Sequence, residues 1–134
     1  MAVNFSESKT KENLMRAFAG ESQARNRYTF AAEQCRREGM QSIGGIFLYT
    51  ADQELAHARR FYELLKPETG TTIFIDGSYP VDEPGSVQDL LQAAAHNENE
   101  EAVDVYPAFA RIAKEEGFYE AASTFMQIAE IEAM

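Results

Sequence analysis

Glu54 and His57 stand three residues apart in the run Ala51-Asp52-Gln53-Glu54-Leu55-Ala56-His57-Ala58. On a helix that spacing puts a hard anionic oxygen and an imidazole nitrogen about one turn apart on one face, where both can reach the same metal ion. Glu-x-x-His also arises by chance, so the pair gains meaning only from its surroundings. Three further segments with helical periodicity carry carboxylates on their own apolar stripes: Glu21 in the first, Glu98 and Glu101 in the third, Glu132 in the fourth. Five glutamates and a histidine at core positions cannot stay ionised without a compensating cation, because burying an isolated carboxylate costs many kcal/mol. The 12 Lys and Arg side chains mostly fall off these stripes. A dinuclear metal centre, bringing about four positive charges, is the simplest neutralising arrangement, and bundles of this kind draw one Glu from each of two helices and Glu-x-x-His from each of the other two.

The elements that must position these groups can be read from period and punctuation. Ser6 to Thr10 supply N-cap side chains for a helix near 8–38, whose stripe is Leu14, Phe18, Glu21, Tyr28, Ala31 and Cys35 and whose stop is Gly39. A second helix is predicted near 42–65, with Ile43, Phe47, Ala51, Glu54, His57 or Ala58, Phe61 and Leu64 facing inward; Gly44-Gly45 weakens its first turn. Residues 67–85 are punctuated by Pro67, Gly70, Gly77, Pro80, Pro84 and Gly85, and hold the one extended-favouring run, Thr71 to Ile75. One strand makes no sheet, so this stretch is expected to be the long crossover of a bundle, with Ile73, Phe74 and Ile75 laid on a helix or on a partner subunit. Ser86-x-x-Asp89 opens a third helix near 86–116. Its stripe is Leu91, Ala94, Glu98, Glu101, Val105, Phe109 and Ile112, with a bend expected at Pro107. After Gly117 a fourth helix, near 118–134, presents Phe118, Ala121, Phe125, Ile128 and Glu132. The expected fold is all-α: a four-helix bundle with one long crossover between the second and third helices, as a single domain over residues 1–134.

Composition narrows the function classes. A net charge of −10, from 22 acidic and 12 basic side chains, opposes sequence-independent binding to nucleic acid or to an anionic membrane. No run of 18 apolar residues and no leader-like N-terminus is visible, so a cytoplasmic protein is expected. Cys35 is the only cysteine; it cannot build a disulfide or a four-cysteine iron site within the chain and is expected to pack as a small core residue. His96 and Glu100 point away from the stripe and should be solvated.

Specific motifs carry a family resemblance over most of the chain from Ser8 onward. Ala17-Phe18-Ala19-Gly20-Glu21-Ser22-Gln23-Ala24-Arg25-Asn26-Arg27-Tyr28 is one. The Glu54-x-x-His57 helix, Glu98-x-x-Glu101 ahead of Tyr106-Pro107, and Ala110 to Phe118 are the others. Together they resemble the di-iron domain of rubrerythrin, which implies a ferritin-like bundle holding two iron ions, for which other divalent metals can substitute. The family's metal ligands then fall on Glu21, Glu54, His57, Glu98, Glu101 and Glu132. Tyr28 and Tyr106 match tyrosines that hydrogen-bond to ligand carboxylates. The sequence departs from the family in two respects. The fourth helix of the family carries Glu-x-x-His, which would place a histidine just after Met134, where this sequence stops, and a C-terminal rubredoxin domain with two Cys-x-x-Cys pairs is absent from it. A truncated chain with a weaker site on the fourth helix is the expectation.

The resemblance implies a non-haem di-iron peroxidase that reduces hydrogen peroxide to water in oxidative-stress defence, with Glu54, His57 and Glu101 as catalytic residues. In that reading Glu54 and Glu132 bridge the metals, Glu21 and Glu98 hold one each, and one iron exchanges Glu101 for His57 on reduction. Electrons would come from a separate donor such as a rubredoxin. The expected assembly is a homodimer, with helices exchanged between chains across the crossover as one form of it. Two other readings share the ligands: a ferritin-like ferroxidase or iron-handling protein, and a metal-poor structural module.

Overall fold

Local signals set where each helix begins and ends. The structure, a computed structural model, describes residues 3–83 and 86–133. Met1 and Ala2, Pro84 and Gly85 at the end of the predicted crossover, and Met134 at the end of the predicted fourth helix lie outside the described residues. Helix α1 (Lys9–Arg37) starts where the Ser8 hydroxyl accepts the Lys11 amide at 3.0 Å, and it stops at Gly39, whose φ of +74° is open to glycine without strain. Helix α2 (Gln41–Leu64) has no side-chain cap. Its early glycine compensates: a Cβ on Gly44 would lie 3.2 Å from Cys35 Cβ, so the bare backbone lets α1 and α2 close on each other around the buried thiol.

The third column begins with α3 (Val87–Glu100), capped by the Ser86 hydroxyl, which accepts the Asp89 amide at 3.1 Å. It passes through a π turn over Glu101–Val105 and continues as α4 (Tyr106–Glu116). Gly117, at φ +91°, ends it and α5 (Tyr119–Ala133) follows. Four columns and no strand among the described residues match the predicted all-α bundle.

The π turn corrects the expected stripe. Pro107 has no amide hydrogen, and in a regular helix its ring would press on the carbonyl four residues back. The chain widens just before it, and the Tyr106 amide donates to the carbonyl of Glu101, five residues earlier. One extra residue in the turn rotates everything after it. Tyr106, Ala110 and Ala113 therefore face the core where unbroken 3.6-residue periodicity pointed to Val105, Phe109 and Ile112, which are only half-buried. At the start of the same column Val87 and Leu90 are buried, while Leu91 is 39% exposed. Adjacent leucines left that choice open, and the packing against α1 and α2 settles it.

The buried apolar residues form two clusters. One contains Leu14 and Ala17 from α1, Phe61 and Leu65 from the end of α2, Tyr106 and Ala110 from α4, and Phe125 and Ile128 from α5. The other contains Ala24, Tyr28 and Cys35 from α1, Phe47 and Ala51 from α2, and Val87 and Leu90 from α3. Glu21, Glu54, His57, Glu98 and Glu101 fall between the two along their helices. Cluster membership also gives the chain course. Helix α1 runs from the first cluster to the second, α2 returns, the α3–α4 column runs parallel to α2, and α5 runs parallel to α1.

The crossover must therefore climb back the length of α2, about 36 Å for its 24 residues at 1.5 Å each. It does so on the surface of α1. Arg16 holds Asp76 through its side chain at 2.7 Å and its carbonyl at 3.0 Å, and Arg27 holds Asp82 at 3.3 Å. Ile73 packs on the first cluster, whereas Phe74 is 85% exposed.

A second clasp joins the third column to the start of α1. The Glu116 carboxylate, at the end of α4, accepts the amides of Lys9 and Thr10 and the Thr10 hydroxyl at the start of α1. Burial opposes ionisation there, yet the hydrogen bonds from Thr10 and Lys9 hold this carboxyl below its ordinary value. Glu116→Ala is expected to destabilise the fold by about 1–2 kcal/mol, the value of a lost helix cap, whereas the exposed neighbour Glu115→Ala should be neutral; urea denaturation of the two variants checks this.

Candidate metal centre

Glu21 occupies the middle of α1 with a wholly buried side chain. Its Oε1 accepts the Tyr106 hydroxyl at 2.7 Å and lies 3.7 Å from His57 Nδ1, too far for a hydrogen bond. Glu54, 2% exposed, and His57, whose side chain is 12% exposed, project one turn apart from α2. Glu132 arrives from the last turn of α5. These four residues each offer a ligand atom, and the four atoms lie within 4.8 Å of one another.

Glu98 and Glu101, on the third column, are not in that tight group. Glu98 accepts the Tyr28 hydroxyl at 2.8 Å and shares the wall of a 390 Å³ cavity with Glu132. Glu101, the first residue of the π turn, faces the other side and lines a 240 Å³ cavity with Tyr106. The two tyrosines are reciprocal. Tyr28 of α1 reaches across to the third column, and Tyr106 of that column reaches back to α1. His96 and Glu100 lie on the surface, paired with each other at 3.5 Å.

The electrostatics tie Glu21, Glu98, Glu101 and Glu132 together. Burial, with repulsion from Glu21, Glu101 and Glu98, pushes the Glu132 carboxyl up to about 12. Burial and the charges of Glu21 and Glu98 push Glu101 up to about 8. Glu98 is also raised, by burial first and then by Glu21, against the opposing effect of its bond from Tyr28. Both phenols are driven well above their ordinary value by burial and the adjacent carboxylates, so Tyr28 and Tyr106 stay protonated and act as donors. The nearest fixed cation is Arg27, which draws Glu98 and Glu101 slightly down but is already engaged by Gln23 at 2.6 Å and by Asp82. Asn97 donates to the same Asp82 carboxylate at 3.1 Å. Asp82 and Asn97 carry no motif, and their convergence on Arg27 in space is what reveals them.

Whether this donor set fits a metal can be judged from what lacks a partner. Glu21 Oε2, Glu54 Oε2, His57 Nδ1 and both oxygens of Glu132 are buried without any hydrogen-bond partner among the described residues. Five orphaned lone-pair atoms at the meeting of three helices are costly unless a cation takes them. Carboxylate oxygen with imidazole nitrogen is a donor set suited to iron, manganese or zinc. The set fits.

Among the described residues Tyr106 is the one donor to Glu21. Tyr106→Phe is expected to destabilise the metal-free protein by about 1–3 kcal/mol, because it strips a buried carboxylate of its remaining bond. Tyr28→Phe should cost less, since Glu98 is only half-buried. Denaturant titration of both variants reads the difference.

A helical bundle running up, down, down and up around a layer of carboxylates and one histidine has the architecture of the ferritin-like class. The chain belongs to the rubrerythrin family, whose model matches residues 12–134. It is 52% identical over 126 residues to rubrerythrin of Porphyromonas gingivalis, covering 94% of this chain and 62% of that one. Against rubrerythrin of Clostridium perfringens the identity is 47%, with 93% and 65% covered. Against rubrerythrin of Nitratidesulfovibrio vulgaris it is 43%, with 91% and 62% covered. The chain thus spans somewhat less than two-thirds of the length of these relatives. Among solved structures it superposes on partially reduced nigerythrin with a TM-score of 0.77 at 34% identity, covering 98% of this chain and 72% of that one. Nigerythrin has also been solved fully reduced, with all iron ferrous, at a TM-score of 0.76. The family is one of di-iron proteins. No described helix is long and apolar enough to cross a membrane.

Proposed function

We propose that this chain is the di-iron domain of a peroxidase that reduces hydrogen peroxide to water. The observation that carries the reading is the group of five buried, unpartnered ligand atoms contributed by Glu21, Glu54, His57 and Glu132. Two ferrous ions held there would supply one electron each, the two that cleavage of the O–O bond requires.

The chain's own residues do the rest. Glu54 on α2 and Glu132 on α5 offer carboxylates from opposite helix pairs and are the proposed bridges. Glu21 and Glu98 are the proposed single-metal ligands, each fixed by a tyrosine that leaves its other lone pairs free. Glu101 and His57 give the site one anionic and one neutral donor, able to serve different charge states. Phe61, Phe125 and Phe109 stack around Tyr106 and keep water from that end of the site. We further propose a separate electron donor such as a rubredoxin. Self-association as a homodimer is supported by Leu48, Leu55 and Tyr62, which are exposed at seven-residue spacing along one side of α2.

The test is anaerobic. Iron-loaded, reduced protein should consume one hydrogen peroxide per two ferrous ions and continue when a reductant is supplied. Dioxygen-driven growth of a ferric mineral core, with little peroxide turnover, would replace this reading with iron storage.

A further inference from the structure

Gly20 sits in the middle of α1, immediately before Glu21. A glycine in a helix interior costs about 1 kcal/mol relative to alanine. The backbone gives no reason for it here, since the described glycines with positive φ are Gly39, Gly70 and Gly117. Close packing gives none either. A Cβ on Gly20 would find its nearest neighbour, Tyr79 Cε1, at 3.5 Å, an ordinary contact distance.

What the missing side chain leaves is space. The 240 Å³ cavity lies between α1, the crossover at 77–80 and the third column, and Gly20, Tyr79, Glu101, Tyr106 and Phe109 are in its wall. Two of these, Glu101 and Tyr106, belong to the metal centre. Tyr79 is held over Gly20 from the crossover, its hydroxyl donating to the Arg16 carbonyl at 3.3 Å. The Arg16–Asp76 and Arg27–Asp82 pairs pin the crossover on either side of it. The opening beside the site is thus bounded by one bare helix position and one ring on a tethered strap.

We propose that this cavity is the port by which hydrogen peroxide reaches the Glu101 side of the site, and that Gly20 and Tyr79 set the size of hydroperoxide admitted. The inference rests on the peroxide reading of the site. Hydrogen peroxide is small, uncharged and rich in hydrogen-bonding capacity, and the Glu101 carboxyl in the cavity wall offers it a partner. A tertiary alkyl hydroperoxide must displace the Tyr79 ring. Neither Gly20 nor Tyr79 is a ligand of the site, so the port can be altered without touching the metal centre.

Two measurements test it. In metal-free Gly20→Cys, with each rate divided by that of free glutathione, the introduced thiol should favour methyl methanethiosulfonate over a bulky aryl maleimide by at least about tenfold, and adding Tyr79→Ala should erase the preference; buried Cys35 is the unreactive control. In iron-loaded protein, Gly20→Leu should lower the second-order rate of ferrous oxidation by hydrogen peroxide by about tenfold with iron content unchanged, and Tyr79→Ala should raise the rate with tert-butyl hydroperoxide by a similar factor. If Gly20→Leu fails to fold, Gly20→Ala, which the helix favours, should give a smaller decrease in the same direction. A parent protein oxidised by neither hydroperoxide ends the peroxide reading and the port with it. An active parent whose rates are indifferent to filling position 20 and to removing the Tyr79 ring overturns the port alone.

Discussion

Glu54→Ala is expected to reduce metal content from two ions per chain to one or none, while Glu100→Ala binds metal like the parent. The contrast is sharp because both residues are glutamates on helices flanking the same site. Glu54 is buried with an unpartnered Oε2 and shares a ligand group with Glu21, His57 and Glu132. Glu100, next to Glu101 in sequence, has a side chain 55% exposed and paired with His96. Removing the proposed bridge leaves each remaining ligand set short of an anion, and the affinity of a site with hard-cation character falls steeply with each carboxylate lost. Elemental analysis after loading and desalting reads the outcome, and circular dichroism establishes that both variants fold. Equal metal content in the two would refute the site assignment.

The second large effect is on stability against pH in the metal-free protein. Glu101 and Glu132 are raised from an ordinary 4.5 to about 8 and about 12, by burial first and by neighbouring carboxylates second. Because the folded-state values lie above the unfolded ones, the folded chain keeps protons that the unfolded chain releases. This contribution to stability is complete below the unfolded value and is lost as pH rises, through about 8 for Glu101 and onward toward about 12 for Glu132. Between pH 5 and pH 8 the metal-free melting temperature should fall by on the order of 10 °C. Cations do the protons' work, so the metal-loaded protein should stay nearly level and the gap between the two should widen with pH. Differential scanning calorimetry of both forms across that range is the measurement. A metal-free melting temperature that is flat or rising from pH 5 to 8 would mean that the carboxylates are not mutually repelling in solution.

Much of this arrangement was legible in the chain because local chemistry marks it. Ser8, Ser86, Gly39 and Gly117 punctuate the helices at the places where the structure starts and stops them, and the inward phase of Glu21 and Glu54 follows from apolar neighbours at three- and four-residue steps. Other features had no local mark. Periodicity can be extended only at constant pitch, so the extra residue at Glu101–Val105 rotated the predicted face beyond it; Pro107 signalled a disturbance without specifying its form. The course of the crossover depends on Arg16 finding Asp76 and Arg27 finding Asp82, pairings between residues more than 50 positions apart that charge counts cannot assign. The division of the six candidate ligands into a tight group of four and two flanking carboxylates depends on side-chain placement, which spacing along a helix leaves undetermined.

The two apolar clusters, parted by the layer of Glu21, Glu54 and Glu101, make the protein resemble two short bundles threaded on common helices. Cooperativity between them cannot pass through oily contacts at that level, because the layer offers few. It passes through whatever neutralises the layer. Were cations bound, Glu21, Glu54, His57 and Glu132 from α1, α2 and α5 would tie the two halves at mid-height and they would open together as one unit; empty and ionised, they are joined chiefly by helix backbone, and one half can fray while the other holds. The proposed metal centre is thus also the coupling that decides whether this chain behaves as one folding unit or two.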